Sequence, residues 1–112
     1  MTQNSDQLVV INENWTNDDG THDGGVSTGT GFTISWQRGP INVTGRNGAF
    51  LIEVLESCFS QLEYFQNSGY KSQENIDALN YLDKCIERLK SRRTRRATEG
   101  TLGTHQQDLN QA

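Results

Sequence analysis

Arg92 and Arg96 stand four residues apart near the end of a periodic apolar segment, one turn beyond Arg88. If that segment is helical, they project from one face. Two guanidiniums on one ridge suit a diphosphate or two separated phosphodiesters, because each offers a planar fork of donors that matches phosphate oxygens. Six of the ten basic residues fall between residues 88 and 96, and the run Gly100-Thr101-Leu102-Gly103-Thr104-His105 follows them. Its hydroxyls and imidazole, Thr104 and His105 among them, extend the same anion-binding chemistry. Spacing alone leaves three readings open: a solvated helix C-terminus, where each cation gains about 0.3–1 kcal/mol from the macrodipole, contact with nucleic-acid backbone, or a small phosphorylated ligand.

Two further groups of residues could carry chemistry. Gly45-Arg46-Asn47-Gly48 stands just before a second periodic segment. With Asn47 as N-cap, its backbone amides would form an anion site at a helix start, with Arg38 closing the corner. Ordinary turn chemistry is the alternative there. Phe65 and Asn75 flank the turn between the two segments, and an aromatic ring beside a carboxamide can stack on a base and read its edge. Core packing and turn capping are the plainer roles for that pair. Asn75 and Arg92 are separated by roughly 25 Å along a helix rising 1.5 Å per residue. They share a pocket only if a second chain brings its basic end alongside.

Catalytic and metal chemistry lack a signature. His22 and His105 sit in polar stretches without a nucleophile or carboxylate at recognisable spacing, and Cys58 and Cys85 form neither a CxxC pair nor part of a ligand cluster. Both cysteines fall on apolar faces, where the expected role is core packing. The chain reads as a binder, not an enzyme, with no cofactor and no metal.

The elements that must position these residues follow from periodicity. Leu51, Leu55, Cys58, Leu62 and Phe65 make an apolar stripe over residues 49–66, and Ile76, Leu79, Leu82, Ile86 and Leu89 make another over residues 72–98, with Ser72 as its cap. The short turn Asn67-Ser68-Gly69-Tyr70-Lys71 makes them antiparallel neighbours, a helical hairpin. Phe32, Ile34 and Trp36 alternate with polar residues as in a half-buried strand, and Leu8-Val9-Val10-Ile11 followed by Trp15 predicts a weaker one. Asp18 to Gly25 reads as a turn-rich loop, and Gly29 and Gly31 shorten whatever pairs. The expected fold is α+β, an antiparallel two-helix hairpin preceded by a small β element. Residues 1–31 form an acidic Gly/Asn-rich segment with a possible short strand, residues 32–105 a strand plus helical-hairpin nucleotide-binding domain, and residues 106–112 a polar tail.

Composition bounds the rest. The 112 residues hold 32% hydrophobic side chains and a formal charge of −4, yet residues 1–31 contain five acids and no Lys or Arg. The charge is therefore polarised, and a net-charge argument against phosphate binding fails. No apolar run approaches a bilayer span and the polar start is not a signal peptide, so the expected location is cytosolic. Each helix carries more apolar surface than one neighbour covers, which predicts a homo-oligomer.

Several segments taken in order resemble a family. Ile34-Ser35-Trp36-Gln37-Arg38-Gly39-Pro40, Gly45-Arg46-Asn47-Gly48-Ala49-Phe50, Leu62-Glu63-Tyr64-Phe65-Gln66, Glu74-Asn75-Ile76-Asp77-Ala78-Leu79, Arg92-Arg93-Thr94-Arg95-Arg96 and Gly103-Thr104-His105 look like the first Thoeris anti-defence family of phages and prophages. The resemblance implies a cyclic-nucleotide sponge in the host bacterial cytoplasm. Such a protein holds cyclic ADP-ribose isomers away from their effector without degrading them, and shares its hairpin domain with the sponge that counters CBASS signalling. It implies that Phe65 and Asn75 contact the adenine or its ribose, and Arg92 and Arg96 the pyrophosphate. It implies hexamers with further pockets for cyclic di- or trinucleotides. The rival is a nucleic-acid-binding hairpin regulator using the cluster of residues 88–96, and a third reading is a structural or adaptor protein whose basic helix end meets an acidic partner.

Overall fold

The computed structural model describes residues 9–100. Two compact units divide them between Ala49 and Phe50.

The first unit is a three-stranded antiparallel sheet, β1 (Ile11–Thr16), β2 (His22–Gly29) and β3 (Phe32–Trp36), in the order β1-β2-β3. Alternation correctly marks β3. The expected strand at residues 8–11 is displaced: β1 begins at Ile11, and Val9 and Val10 precede it, exposed. The expected loop at residues 18–25 is a correction as well, since β2 starts at His22 and carries Gly24 and Gly25 inside it. The turn proper is Asn17 to Thr21, closed by the Asn17 amide donating to the Thr21 carbonyl at 2.8 Å. Glycine reads as a breaker in sequence, yet here it is required. Gly25 has φ +149° and lies opposite Asn14, where a Cβ would collide with the Glu13 carbonyl. The ladder from β1 also shifts register between Asn14 and Thr16.

One side-chain relay ties the three strands. Trp36 Nε1 donates to Ser27 Oγ at 2.7 Å, and Ser27 Oγ donates to Asn12 Oδ1 at 2.5 Å. Ser27 is buried, so this relay supplies the partners its hydroxyl requires. Beyond β3, a single turn, α1 (Ile41–Thr44), leads to Ala49, which bridges to Trp36 in parallel fashion.

The second unit contains α2 (Leu51–Gln66) and α3 (Gln73–Thr98). The expected start of the first helix is corrected here. Asn47 is not its N-cap; Phe50 is, and Glu53 Oε1 accepts from the Phe50 amide at 2.7 Å in place of a side-chain cap. Ser72 caps α3 as its type predicts, with Oγ accepting from the Asn75 amide at 3.0 Å. Glu56 of α2 pairs with Lys90 of α3 at 2.9 Å. Phe59 and Ser60 lie with Ile86 and Asp83 around the same shallow groove.

The interior is thin. Ile86 is the one buried hydrophobic side chain among the described residues, at 7% exposure. Cys58 and Cys85, expected in the core, are both exposed: the stripes on α2 and α3 are wider than the contact between the helices, and the cysteines fall on their uncovered margins. No helix among the described residues is long and apolar enough to cross a membrane.

Candidate nucleotide site

The turn between α2 and α3 gathers an exposed aromatic cluster. The Phe65 ring lies 6.0 Å from Tyr64 at an interplanar angle of 57°, and 5.8 Å from Tyr70 in an edge-on arrangement at 74°. Tyr64 is 64% exposed and Tyr70 71%. Aromatic side chains normally avoid such exposure, so the cluster presents ring faces and edges to whatever approaches the turn.

Local hydrogen bonds fix that geometry. Gln66 Oε1 accepts from the Ser72 amide at 3.0 Å, which ties the end of α2 to the cap of α3. Ser68 Oγ donates to the Phe65 carbonyl at 3.0 Å. Asn75 Nδ2 donates to the Tyr70 carbonyl at 2.7 Å. A carbonyl neighbour accepts only from the NH2 side of a carboxamide, so Asn75 Oδ1 is turned the other way, as an acceptor. Phe65 and Asn75 are thus brought together through Tyr70. Tyr64 and Tyr70 are members that the sequence reading missed; a tyrosine in a glycine-containing turn beside a second aromatic pair was the available signal.

The basic residues are placed elsewhere. Arg92 lies exposed and Arg96 half-buried on the last turns of α3, and neighbouring Arg95 reaches Glu99 at 3.6 Å. Their distance along the helix keeps them from the Phe65 cluster within one chain. Thr104 and His105 lie outside the described residues.

In the first unit Arg38 and Asn47 do meet, though in a different way from the expected anion corner. Asn47 Oδ1 accepts from the Arg38 amide at 2.8 Å and Nδ2 donates to the Arg38 carbonyl at 2.9 Å, so the carboxamide mimics a strand partner. The Arg38 guanidinium pairs with Asp23 at 3.0 Å and lies 4.9 Å over the Trp15 ring. The amides expected to hold an anion are taken: Gln37 Oε1 accepts from Asn47 at 2.9 Å and from Gly48 at 3.2 Å. A carboxamide one residue before Arg38 therefore fills the nest that spacing suggested for a phosphate.

No family model matches the chain. It is similar to Thoeris anti-defense 1 of Bacillus phage SBSphiJ7, with 32% identity over 74 residues, which is 66% of this chain and 52% of that protein. The chain thus matches about half the length of this curated relative. Over those 74 residues the chain's similarity is to a phage Thoeris anti-defence protein.

Proposed function

We propose that the protein is a phage anti-defence sponge that binds and sequesters cyclic nucleotide immune signals in the host cytoplasm without degrading them. Cyclic ADP-ribose isomers are its ligands, with cyclic di- and trinucleotides in additional pockets, so that it blocks Thoeris and CBASS signalling. In this reading α2 and α3 form an antiparallel helical hairpin, and hairpins assemble into a homo-oligomer, a hexamer by resemblance. Phe65 stacks on the base, Asn75 reads its edge, and Arg92 and Arg96 of a second chain hold the pyrophosphate.

The observation that carries the reading is the Phe65–Tyr70–Asn75 cluster at the turn, in a chain that resembles an anti-defence protein. Ring faces and an oriented carboxamide suit a nucleobase. The thin interior around Ile86 supports assembly, because much apolar surface on the helices stays uncovered in a single chain.

The direct test incubates the purified protein with a panel of cyclic nucleotides, removes free ligand, denatures the protein and analyses what is released. Recovery of an intact cyclic ADP-ribose isomer is the expected result. Linear product, or no retained nucleotide, would remove the sponge.

A further inference from the structure

Asn47 is the one asparagine of the chain that a glycine follows. With no side chain beside it, the glycine nitrogen meets little steric hindrance in attacking the preceding carboxamide. Asn47 is also exposed, so water reaches it. Residue order and exposure both mark the pair as chemically labile, yet the fold requires each member. A Cβ on Gly48 would come within 2.6 Å of the Trp36 carbonyl carbon, so the chain can pass the end of β3 there only as glycine. The Asn47 carboxamide bonds the Arg38 main chain at both its ends, and no other side chain of that length has a donor and an acceptor so arranged.

We infer that Asn47 is a site of spontaneous deamidation, held closed by the corner that Gln37, Arg38, Asn47 and Gly48 form and released when that corner opens locally. The reaction needs the Gly48 nitrogen to lose its proton and the Asn47 Cγ to swing over it. Both are opposed. The Gly48 N–H donates to Gln37 Oε1 at 3.2 Å, and the same oxygen accepts from the Asn47 amide at 2.9 Å. Gln37 is itself anchored, with Nε2 donating to the Gly45 carbonyl at 2.8 Å. The two bonds to Arg38 fix the Asn47 side-chain torsions. The shield is therefore made of hydrogen bonds, not of burial.

When the corner opens, solvent base takes the Gly48 amide proton and the nitrogen attacks Asn47 Cγ. A C–N bond forms, the bond from Cγ to Nδ2 breaks, and Nδ2 leaves as ammonia with a proton from water. Water then opens the succinimide at either carbonyl, giving aspartate or the isomer whose main chain runs through Cγ. Nothing is oxidised, and water is the sole co-reactant. The change does not reverse. In aspartate an oxygen replaces Nδ2, so an acceptor faces the Arg38 carbonyl where a donor stood at 2.9 Å. The isomer lengthens the main chain by one atom and displaces Gly48 from its close fit against Trp36. Either product leaves the corner unable to close, so each opening risks a permanent one.

The test keeps the full chain in mildly alkaline buffer with and without high urea, quenches it in acid, and maps deamidation by peptic digestion and mass spectrometry. In urea Asn47 should deamidate ahead of every other asparagine, and in the folded chain about tenfold or more slowly than in urea, because the rate there is scaled by the population of the open corner. Equal rates in the two conditions, or another asparagine leading in urea, would overturn the proposal. Gln37→Ala should deamidate several-fold faster than the folded parent while keeping native tryptophan emission. A folded Gln37→Ala that is no faster would remove the shield. If that variant loses native emission, the parent decides in its place: its rate should rise in urea below the unfolding midpoint, and a rate that follows global unfolding alone would overturn local release. Asn47→Asp, which carries one product from the start, should have a lower denaturant midpoint by tryptophan emission than the parent. An unchanged midpoint would overturn the irreversible step. No measurement here involves a nucleotide, so the outcome stands apart from that of the sponge reading.

Discussion

The side-chain amide of Asn75 donates to the backbone carbonyl of Tyr70 across 2.7 Å, so one bond holds both the carboxamide and the residue whose ring abuts Phe65. The bond uses one N–H of the Asn75 amide on the protein and turns the acceptor oxygen away from the Tyr70 carbonyl. Under the sponge reading, a base that presents an amine to this oxygen is favoured over one that presents a carbonyl.

That orientation gives a specificity prediction. A cyclic ADP-ribose isomer with hypoxanthine in place of adenine should bind more weakly by about 1–3 kcal/mol, the cost of opposing acceptors in a partly buried site. Titration calorimetry on both ligands measures it, and equal affinities would place Asn75 away from the base edge.

Phe65→Ala and Arg92→Ala should each weaken cyclic-nucleotide binding by about 1–3 kcal/mol, the range for base stacking and charge-assisted bonds, without unfolding the protein. Co-refolding the two variants should recover part of the binding each lacks, because some mixed pockets join an intact Phe65 to an intact Arg92. A nucleic-acid regulator predicts another pattern: Arg92→Ala would lower duplex affinity and its salt slope, and Phe65→Ala would leave both unchanged.

Ser72→Ala removes the acceptor that caps α3 at the Asn75 amide. A loss of about 1 kcal/mol in unfolding free energy is expected, read from the denaturant midpoint. The same change loosens the turn that carries Tyr70, so nucleotide affinity should fall with it.

Gly25→Ala should destabilise the sheet by roughly 1–3 kcal/mol, since the new methyl meets the Glu13 carbonyl and the backbone sits at φ +149°. Gly31→Ala, with open space around it and no unusual φ, should leave the denaturant midpoint almost unchanged.

The helices were legible because their signals are local. Apolar spacing located α2 and α3, and Ser72 marked the start of α3 to the residue. The start of α2 was not, because the capping contact comes from Glu53 reaching back, while Asn47, the better cap by type, is held by Arg38. β2 was hidden by Gly24 and Gly25, whose place in a strand depends on what β1 and the segment after β3 put beside them. The exposure of Cys58 and Cys85 follows from the narrow contact between α2 and α3, a property that periodicity on one helix does not contain. In the candidate site, residue types pointed to Phe65 and Asn75. Tyr70 carried only the weak signal of a tyrosine in a glycine-containing turn, and its contact with Phe65 came from the turn's conformation, as the occupied amides at Asn47 and Gly48 came from the position of Gln37.

The division between Ala49 and Phe50 also sorts the chromophores. Both tryptophans, Trp15 and Trp36, belong to the sheet unit, and all three tyrosines, Tyr64, Tyr70 and Tyr81, to the helical unit. Selective tryptophan excitation therefore watches the sheet alone, while the tyrosine bands, resolved from tryptophan by second-derivative absorbance, watch the helices and the turn where a nucleotide is proposed to bind. Unlabelled protein thus carries a separate optical reporter in each unit. Coincident melting of the two signals would mark one cooperative molecule, and separate melting two independently folding halves.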